Sequence, residues 1–291
     1  MDEHTRLFED NRRVLEGLAY RMLGTLADAR DVVQDTYLKW RDARSDEIRS
    51  PRAWLVTVCS RLALNTLQSA RARRETYVGT WLPEPLLDNH TNDPERQLEI
   101  DDTVSVALML ALEKLSPSER AAFLLHEVFG YGFDDVAAIL GKRAAACRKL
   151  ASRARTSMRG ERPRFRASPV EHRRLLEAFL SAARTGDLDG LKSLLAEDVE
   201  AYADGGGRAT ASVQVVRGAG AVSALFARIW QDYRTSRVVI RMRARWFNGG
   251  PGLLMYENDR LATALSVSVE DGVIRRLYAH RNPEKLTPFL T

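Results

Sequence analysis

The sequence has little cysteine and lacks any long apolar run. Of its 291 residues two are cysteine, Cys59 and Cys147, and neither belongs to a CxxC pair or has histidine at zinc-ligand spacing. We therefore expect no disulfide framework, no metal site and a reducing cytoplasm. No apolar run approaches the ~18–20 residues of a membrane-spanning helix. The first residues are charged, so we expect neither a membrane protein nor an exported one.

The chain also lacks a strong charge bias, because 44 Lys+Arg against 39 Asp+Glu leave a net charge of +5. Its distribution is uneven: residues 142–166 contain ten Lys/Arg and one acid, and residues 41–74 contain eight Arg and three acids. Such blocks are typical of a solvated helical face or a basic tail. They are equally typical of an element that neutralises several nucleic-acid phosphates.

Hydrophobic periodicity divides the chain into two helical parts and one mixed part. Proline-rich stretches separate them, and after Val170 helices give way to alternating strands with a hairpin turn at Asp271-Gly272. The predicted fold class is therefore two all-α domains followed by an α+β domain. The predicted boundaries are a helical domain at 1–77, a linker at 78–97, a helical domain at 98–162, a linker at 163–169 and an α+β domain at 170–291.

Residues Phe133–Arg155 have the proportions of a helix-turn-helix, with Gly141 at the turn. The second helix carries the excess charge, which favours contact with DNA, although helix–Gly–helix pairs also occur in proteins that bind no DNA. Its outward residues are predicted to be Arg148, Lys149, Ser152, Arg153 and Arg155, and its inward residues Ala145, Leu150, Ala151 and Ala154.

An acidic stripe and a basic, aromatic-containing helix lie nearer the start. Asp28, Asp31 and Asp35, with Gln34 beside them, recur at helical spacing. They favour either a helix N-terminus that attracts acids or a docking surface for a basic partner. Trp54 begins the following basic helix, and we expect it to be a core residue rather than a platform for an unpaired base.

Several strings in order resemble the bacterial extracytoplasmic-function (ECF) sigma factors. DARDVVQDTYLKW is similar to the family's polymerase-binding helix, and SPRAWLVTVCSRLALNTLQSARARRE to its −10-reading helix. LSPSERAAFLLHEVFGYGFDDVAAILG with RKLASRAR resembles its −35-reading helix-turn-helix. WLPEP, DGGGR and NPEKL resemble the subgroup with a C-terminal SnoaL-like domain of NTF2 fold. The likeness covers nearly the whole chain.

The resemblance implies a transcription initiation factor with no catalysis and no cofactor. It places binding to core RNA polymerase, through its β and β′ subunits, at Asp28, Asp31, Gln34, Asp35 and Trp40. It places contacts to the melted −10 strand at Arg44, Arg49, Arg52, Arg61, Asn65, Arg71, Arg73 and Arg74. It places contacts to the duplex −35 element at Lys142, Arg143, Arg148, Lys149, Ser152, Arg153 and Arg155.

The C-terminal domain is implied to regulate the chain in cis, so no separate anti-sigma protein is expected. The regulatory contacts are expected at Trp81, Leu82, Pro83, Asp204, Gly205, Gly206, Gly207, Arg208, Asn282, Pro283 and Lys285. The family's usual DGGGK has Arg208 in place of lysine here. Whether a small ligand binds in the domain's cavity is left open by the sequence.

Two features of the sequence leave other functions open: the start of the recognition helix, which departs from the family pattern, and Asp204. The recognition helix begins with Lys142-Arg143-Ala144-Ala145 where the family usually has Ser or Thr, so the loss of that N-cap is expected to cost ~1 kcal/mol. Asp204, with Tyr202 and His280, is also the type of residue that serves as the base in NTF2-fold isomerases and cyclases, although a turn residue is the simpler interpretation. The alternatives are a helix-turn-helix repressor with a ligand-sensing domain, or a cyclase-like enzyme fused to a DNA-binding module.

Overall fold

The computed structural model describes residues 3–43, 48–87, 105–159 and 168–290, without the side chains of 71–73. The chain divides into two compact units. The helical unit comprises Met1–Thr76 with Leu108–Glu161, and the α+β unit comprises Tyr77–Ala107 with Arg162–Thr291. Both predicted helical domains therefore contribute to one unit, and the start of the predicted first linker belongs to the other. Within the described residues, no helix has the length and hydropathy needed to cross a membrane.

Three helices begin the helical unit: α1 (Glu3–Leu23), α2 (Leu26–Arg41) and α3 (Pro51–Glu75). The hydroxyl of Thr25 caps α2 by accepting from the backbone N–H of Asp28, 3.3 Å away. The same hydroxyl donates to the Asp28 carboxylate at 2.7 Å. Proline in the first turn of α3 suits a position whose N–H lacks an intrahelical partner.

The second half of the helical unit consists of four helices joined by tight turns: α4 (Val106–Glu113), α5 (Pro117–Phe123), α6 (Phe133–Leu140) and α7 (Ala144–Ser157). A capping box between Ser116 and Glu119 fixes the start of α5, which continues into a π-helical turn at Leu124–Val128. Gly141 ends α6 with φ of 63°, a left-handed conformation that glycine adopts without strain. The predicted helix–glycine–helix segment is thus present.

Among its described residues, the α+β unit packs three helices against a sheet: α8 (Pro169–Thr185), α9 (Leu188–Leu194) and α10 (Ala219–Thr235). The strands are β1 (Leu195–Asp204), β2 (Val216–Arg217), β3 (Ile240–Phe247), β4 (Gly250–Glu257), β5 (Arg260–Glu270) and β6 (Val273–His280). Their order is β2-β1-β6-β5-β4-β3, with β1 and β6 parallel and the other pairs antiparallel.

Successive side chains along a strand alternate between the two faces of the sheet. Each face therefore contributes to a different hydrophobic cluster. One face supplies Ala201, Leu277 and Val267 to the core shared with the helices. Asp204, His280 and Ala264 are paired across β1, β6 and β5 and lie on the other face. That face packs a second cluster: Phe247, Leu254, Ala264 and Leu286, with Leu87 and Phe289 against them.

The predicted fold class, two helical regions followed by an α+β domain, is confirmed. The hairpin at Asp271-Gly272 is confirmed too, with φ of 53° and 76° between β5 and β6. Strand β1 was not predicted, because the helical pattern that ends at Leu195 runs directly into it. Ala145 was predicted to pack inward, but it is exposed near the start of α7, whereas Ala151 and Ala154 are buried. Residues 88–104 and 160–167, which include half of the first predicted linker and most of the second, lie outside the described part.

Candidate functional site

The acidic stripe of α2 is a solvent-exposed surface. Asp31, Gln34 and Asp35 are exposed one helical turn apart, and Leu38 extends the same face with 38% of its area exposed. Asp28 differs from them because its carboxylate accepts from the Thr25 hydroxyl in the N-cap. Three of the five residues predicted to bind polymerase are thus accessible to a partner.

The prediction that Trp40 binds polymerase needs correction. Its side chain is fully buried, its indole N–H donates to the His4 carbonyl at 2.8 Å, and its ring stacks on the His4 ring at 4.2 Å. A buried indole cannot contact a partner surface; it holds α2 against α1. Trp54 is half-buried, with its ring 5.4 Å from that of Trp40, which agrees with the core interpretation.

The predicted −10 contacts on α3 and in the segment before it fall into different environments. Arg49, which precedes α3, is exposed, and so are Arg52, Arg61 and Asn65 on the helix. The Nε of Arg61 donates to the Ile139 carbonyl at 2.9 Å, and its Nη2 donates to the Ala138 carbonyl at 3.0 Å. Arg44 lies outside the described residues, as do the side chains of Arg71 and Arg73.

The predicted DNA contact of Arg74 also needs correction. Its side chain is 13% exposed and faces the interior of the helical unit. It forms an ion pair with Glu113 and donates to the Leu23 carbonyl at the end of α1. Both guanidinium contacts are therefore within the protein, and they join α3 to α1 and α4. A role in holding these helices together replaces the predicted contact with DNA.

A buried arginine completes this cluster and was missed from the sequence. The Arg120 side chain is fully buried, 2.7 Å from Glu113, and donates to the carbonyls of Met22 at 2.7 Å and Leu112 at 2.9 Å. It links α5 to the ends of α1 and α4. The available signal was a charged residue directly before the apolar run AAFLL, but its partners lie far away along the chain.

On α7 the predicted DNA-facing residues are exposed, together with the two cations that precede the helix: Lys142, Arg143, Arg148, Lys149, Ser152, Arg153 and Arg155. Two of them also contact the protein: Arg148 lies over the Phe133 ring at 5.5 Å, and Arg155 forms an ion pair with Glu127. Arg143 occupies the N-cap without a side-chain hydrogen bond, as the missing Ser or Thr predicts. The result is a cationic face on the second helix of the helix-turn-helix.

In the α+β unit, the Asp204 carboxylate is a fully buried acceptor. It accepts from the Tyr77 hydroxyl at 2.6 Å, from the Leu82 backbone N–H at 2.9 Å and from the Lys285 ammonium at 2.7 Å. Two of these donors belong to the extended segment Tyr77–Leu87, which contains WLPEP. Asp204 is therefore more than a turn residue, since it anchors this segment to the sheet.

Lys285 joins the segment and the C-terminal tail around the same carboxylate. Its ammonium donates to the Leu82 carbonyl at 2.5 Å and lies 4.9 Å from the Tyr77 ring and 4.5 Å from the Trp81 ring. Burial, reinforced by the hydrogen bond to Asp204, raises the pKa of Tyr77, so its hydroxyl stays a donor. The buried cation is thus compensated by a carboxylate and by two aromatic faces, and removing the carboxylate would leave its charge unpaired.

The DGGGR turn and the tail add further contacts to Tyr77–Leu87. Gly206 has φ of 57°, and a Cβ there would overlap the Asn282 amide, which donates to the Tyr77 hydroxyl at 2.9 Å. Position 206 therefore requires glycine, because the Asn282 amide approaches the backbone too closely for a Cβ atom. Gly205, Gly207 and Pro283 complete the same turn and tail. Arg208 pairs with Glu284 at 2.8 Å, but both side chains are more than 60% exposed, so this pair contributes little.

His280 is the buried histidine of this site, and its Nε2 lies 3.0 Å from the Pro83 carbonyl. Burial, followed by the nearby Lys285 charge, lowers the pKa of His280 to about 4. An unfolded histidine has a pKa of about 6.5. The stabilisation from keeping the ring neutral is therefore present above pH ~6.5 and is lost as the pH falls towards ~4.

We predict that the α+β unit loses ~2 kcal/mol of unfolding free energy between pH 7 and pH 5 through His280. Urea unfolding at both pH values measures this loss, and His280→Gln is expected to reduce it. Burial also lowers the pKa of His172, so the comparison with His280→Gln isolates the share that belongs to His280. An equal loss in wild type and variant would contradict the assignment.

The geometry disfavours an acid–base site at Asp204, Tyr202 and His280. These residues lie on the sheet face opposite the helices, where Asp204 already accepts from three donors. On the helix-facing side, Phe179, Trp230 and Leu277 belong to the core. No pair of carboxyl or imidazole groups in this row is left open to a substrate.

The comparisons with known proteins identify the family. The Sigma-70 region 2 model matches residues 7–73, and the model of Sigma-70, region 4 matches residues 105–158. The chain is 38% identical over 290 residues to the ECF RNA polymerase sigma factor SigJ of Mycobacterium tuberculosis (strain ATCC 25618 / H37Rv), covering 96% of this chain and 92% of that protein. The chain belongs to the ECF RNA polymerase sigma factors.

Two further comparisons extend over the whole of this sigma factor. It is 34% identical over 285 residues to the probable ECF RNA polymerase sigma factor SigI of the same strain, covering 96% of this chain and 93% of that one. The crystal structure of Mycobacterium tuberculosis extracytoplasmic function sigma factor SigJ matches with a TM-score of 0.75 and 33% identity, covering 96% and 97% of the two chains. The likeness therefore includes the α+β unit.

Proposed function

We propose that this sigma factor divides promoter-directed initiation among three surfaces. The exposed stripe Asp31, Gln34 and Asp35 of α2 docks on a basic surface of core RNA polymerase. The observation that carries this assignment is that the three side chains are exposed on one face while the opposite face of α2 is buried. Complementary charge speeds encounter and fixes orientation, which suits an acidic stripe and a basic partner.

The two other surfaces contact promoter DNA. On α3 and in the segment before it, the exposed Arg49, Arg52 and Asn65 hold the melted −10 strand, with Arg44, Arg61, Arg71 and Arg73 as further members of the same proposal. Flipping a base from the stack costs a few kcal/mol, which contacts to phosphate and base must offset. The cationic face of α7 enters the major groove of the duplex −35 element, where Lys149 and Ser152 face outward and Arg148 and Arg153 flank them.

The α+β unit acts on these surfaces in cis, in place of a separate anti-sigma protein. Support comes from Asp204, whose buried carboxylate binds Tyr77 and Leu82 directly after the −10-reading helix α3. The anchor ties the chain between the two sigma regions to the α+β unit. Its release frees the linker and raises promoter-directed transcription.

We expect Asp35→Arg to weaken association with core polymerase by roughly tenfold or more, because it reverses a charge within the docking stripe. Co-purification with core polymerase and run-off transcription measure the effect. Asp10→Arg is the matched control, since Asp10 is an exposed acid on α1 outside the stripe. If Asp35→Arg behaves like wild type while the chain still binds duplex DNA, the repressor alternative is favoured instead.

A further inference from the structure

Arg148 lies on one flank of α7, beside the start of α6. Because α7 turns once in about 3.6 residues, Lys149 and Ser152 lie opposite the buried side of the helix. Arg148 and Arg153 lie between these two sides, on opposite flanks, and all four side chains are exposed. When the outward side of a helix enters the major groove, its flanks run beside the phosphates that border the groove.

Phe133, the first residue of α6, supports the Arg148 side chain. The guanidinium carbon of Arg148 lies over the Phe133 ring, 5.5 Å from its centroid. The Phe133 ring in turn stacks on the His126 ring, with 3.9 Å between the centroids and 29° between the planes. The His126 ring is held by its Nδ1–H, which donates to the Tyr131 carbonyl at 2.8 Å. The aromatic platform under Arg148 is therefore fixed to the backbone that precedes α6.

The contact with Phe133 leaves the N–H groups of Arg148 available. An arginine over an aromatic ring is held by its charge and its face, so the donors at its edges can still bind a phosphate. Arg155, on the same flank, differs because its guanidinium forms an ion pair with Glu127, which compensates its charge. Among the described residues no carboxylate pairs with Arg148. Arg148 is thus an oriented cation whose charge is not compensated.

We propose that Phe133 is a positioning residue: it holds Arg148 over its ring so that the guanidinium binds a phosphate at the edge of the −35 major groove. The inference rests on the proposed entry of α7 into that groove and adds a residue of α6 to DNA binding. Ordering a long side chain before binding lowers the entropic cost of the contact. Phosphate contacts fix the register of a protein on the duplex, from which Lys149 and Ser152 reach the bases.

The experiment uses the full-length chain in complex with core polymerase, and its probe is double-stranded DNA randomised over one helical turn, about 10 base pairs. Selection from this pool gives a preferred duplex, and fluorescence anisotropy measures its affinity at several salt concentrations. Phe133→Leu keeps an apolar side chain but removes the aromatic face, so we expect binding about two- to fivefold weaker. Phe133→Tyr retains the face and should bind like wild type. Both variants should select the wild-type sequence.

A double-mutant cycle separates positioning from folding. Arg148→Ala should reduce the slope of log K against log salt by ~0.9, the value for one phosphate contact. In that background Phe133→Leu should cause no further loss. Arg153→Ala is the matched control, an exposed arginine on the opposite flank, and its effect should add in full to that of Phe133→Leu. Equal losses from Phe133→Leu in the wild-type and Arg148→Ala backgrounds would mean that Phe133 only supports the fold, which overturns the positioning role.

Two further outcomes distinguish this inference from the proposed function. If Arg148→Ala keeps the salt slope and changes the selected bases, the phosphate contact is wrong, while the role of α7 at the −35 element stands. If the wild-type complex selects no preferred duplex, the proposed entry of α7 into the −35 groove fails, and the positioning role of Phe133 fails with it.

Discussion

Asp204→Ala is expected to lower the unfolding free energy of the α+β unit by about 3–5 kcal/mol. The variant removes the acceptor of three hydrogen bonds and leaves Lys285, which is 7% exposed, without its buried counter-charge. Urea unfolding monitored by hydrogen exchange in peptides of the α+β unit measures the loss. Glu284→Ala is the control, because its exposed ion pair with Arg208 should contribute less than ~0.5 kcal/mol.

A second substitution separates stability from regulation. In the Asp204→Ala background, Lys285→Met removes the orphaned cation, so we expect it to recover part of the lost free energy. The segment Tyr77–Leu87 should stay susceptible to proteolysis because its anchor is still absent. If transcription remains raised at least twofold in the double variant, the anchor itself is regulatory. A return to wild-type transcription despite a cleavable segment would remove the regulatory claim.

The sequence predicted the local features of the fold better than those formed between distant residues. The Asp271-Gly272 hairpin and the turn at Gly141 depend on residues that require positive φ, which the sequence shows directly. Strand β1 was missed because its parallel partner β6 lies some 70 residues further along the chain. Its alternation of small apolar and polar residues was present but short, and it follows a helical pattern without a break.

The same limit applied to the candidate sites. Charge patterning located the cationic residues, but it cannot separate an arginine that faces solvent from one whose partner is distant in sequence. Arg74 was predicted to contact DNA because its partner Glu113, 39 residues away, cannot be recognised from the sequence. Trp40 was predicted to contact polymerase because the sequence does not fix which face of its helix is buried. Asp204 and Lys285 lay in separate motifs, 81 residues apart, and became one site through the pairing of β1 with β6.

Glu113→Ala is the prediction with the largest expected effect in the helical unit, again a loss of about 3–5 kcal/mol. Glu113 is the carboxylate between Arg74 and the fully buried Arg120, 2.7 Å from the latter. Without it, two guanidinium groups face each other in a site from which water is largely excluded. Urea unfolding monitored by hydrogen exchange in helical-unit peptides measures the loss.

Two comparisons decide whether the buried charge is the cause. Glu9→Ala, which breaks an exposed pair with Arg12, should change the unfolding free energy by less than ~0.5 kcal/mol. Adding Arg120→Met to Glu113→Ala should recover part of the loss, since a buried charge is replaced by an apolar chain of similar length. Purely additive effects would mean that Glu113 acts through packing and not as the counter-charge that joins the ends of α1, α3 and α4.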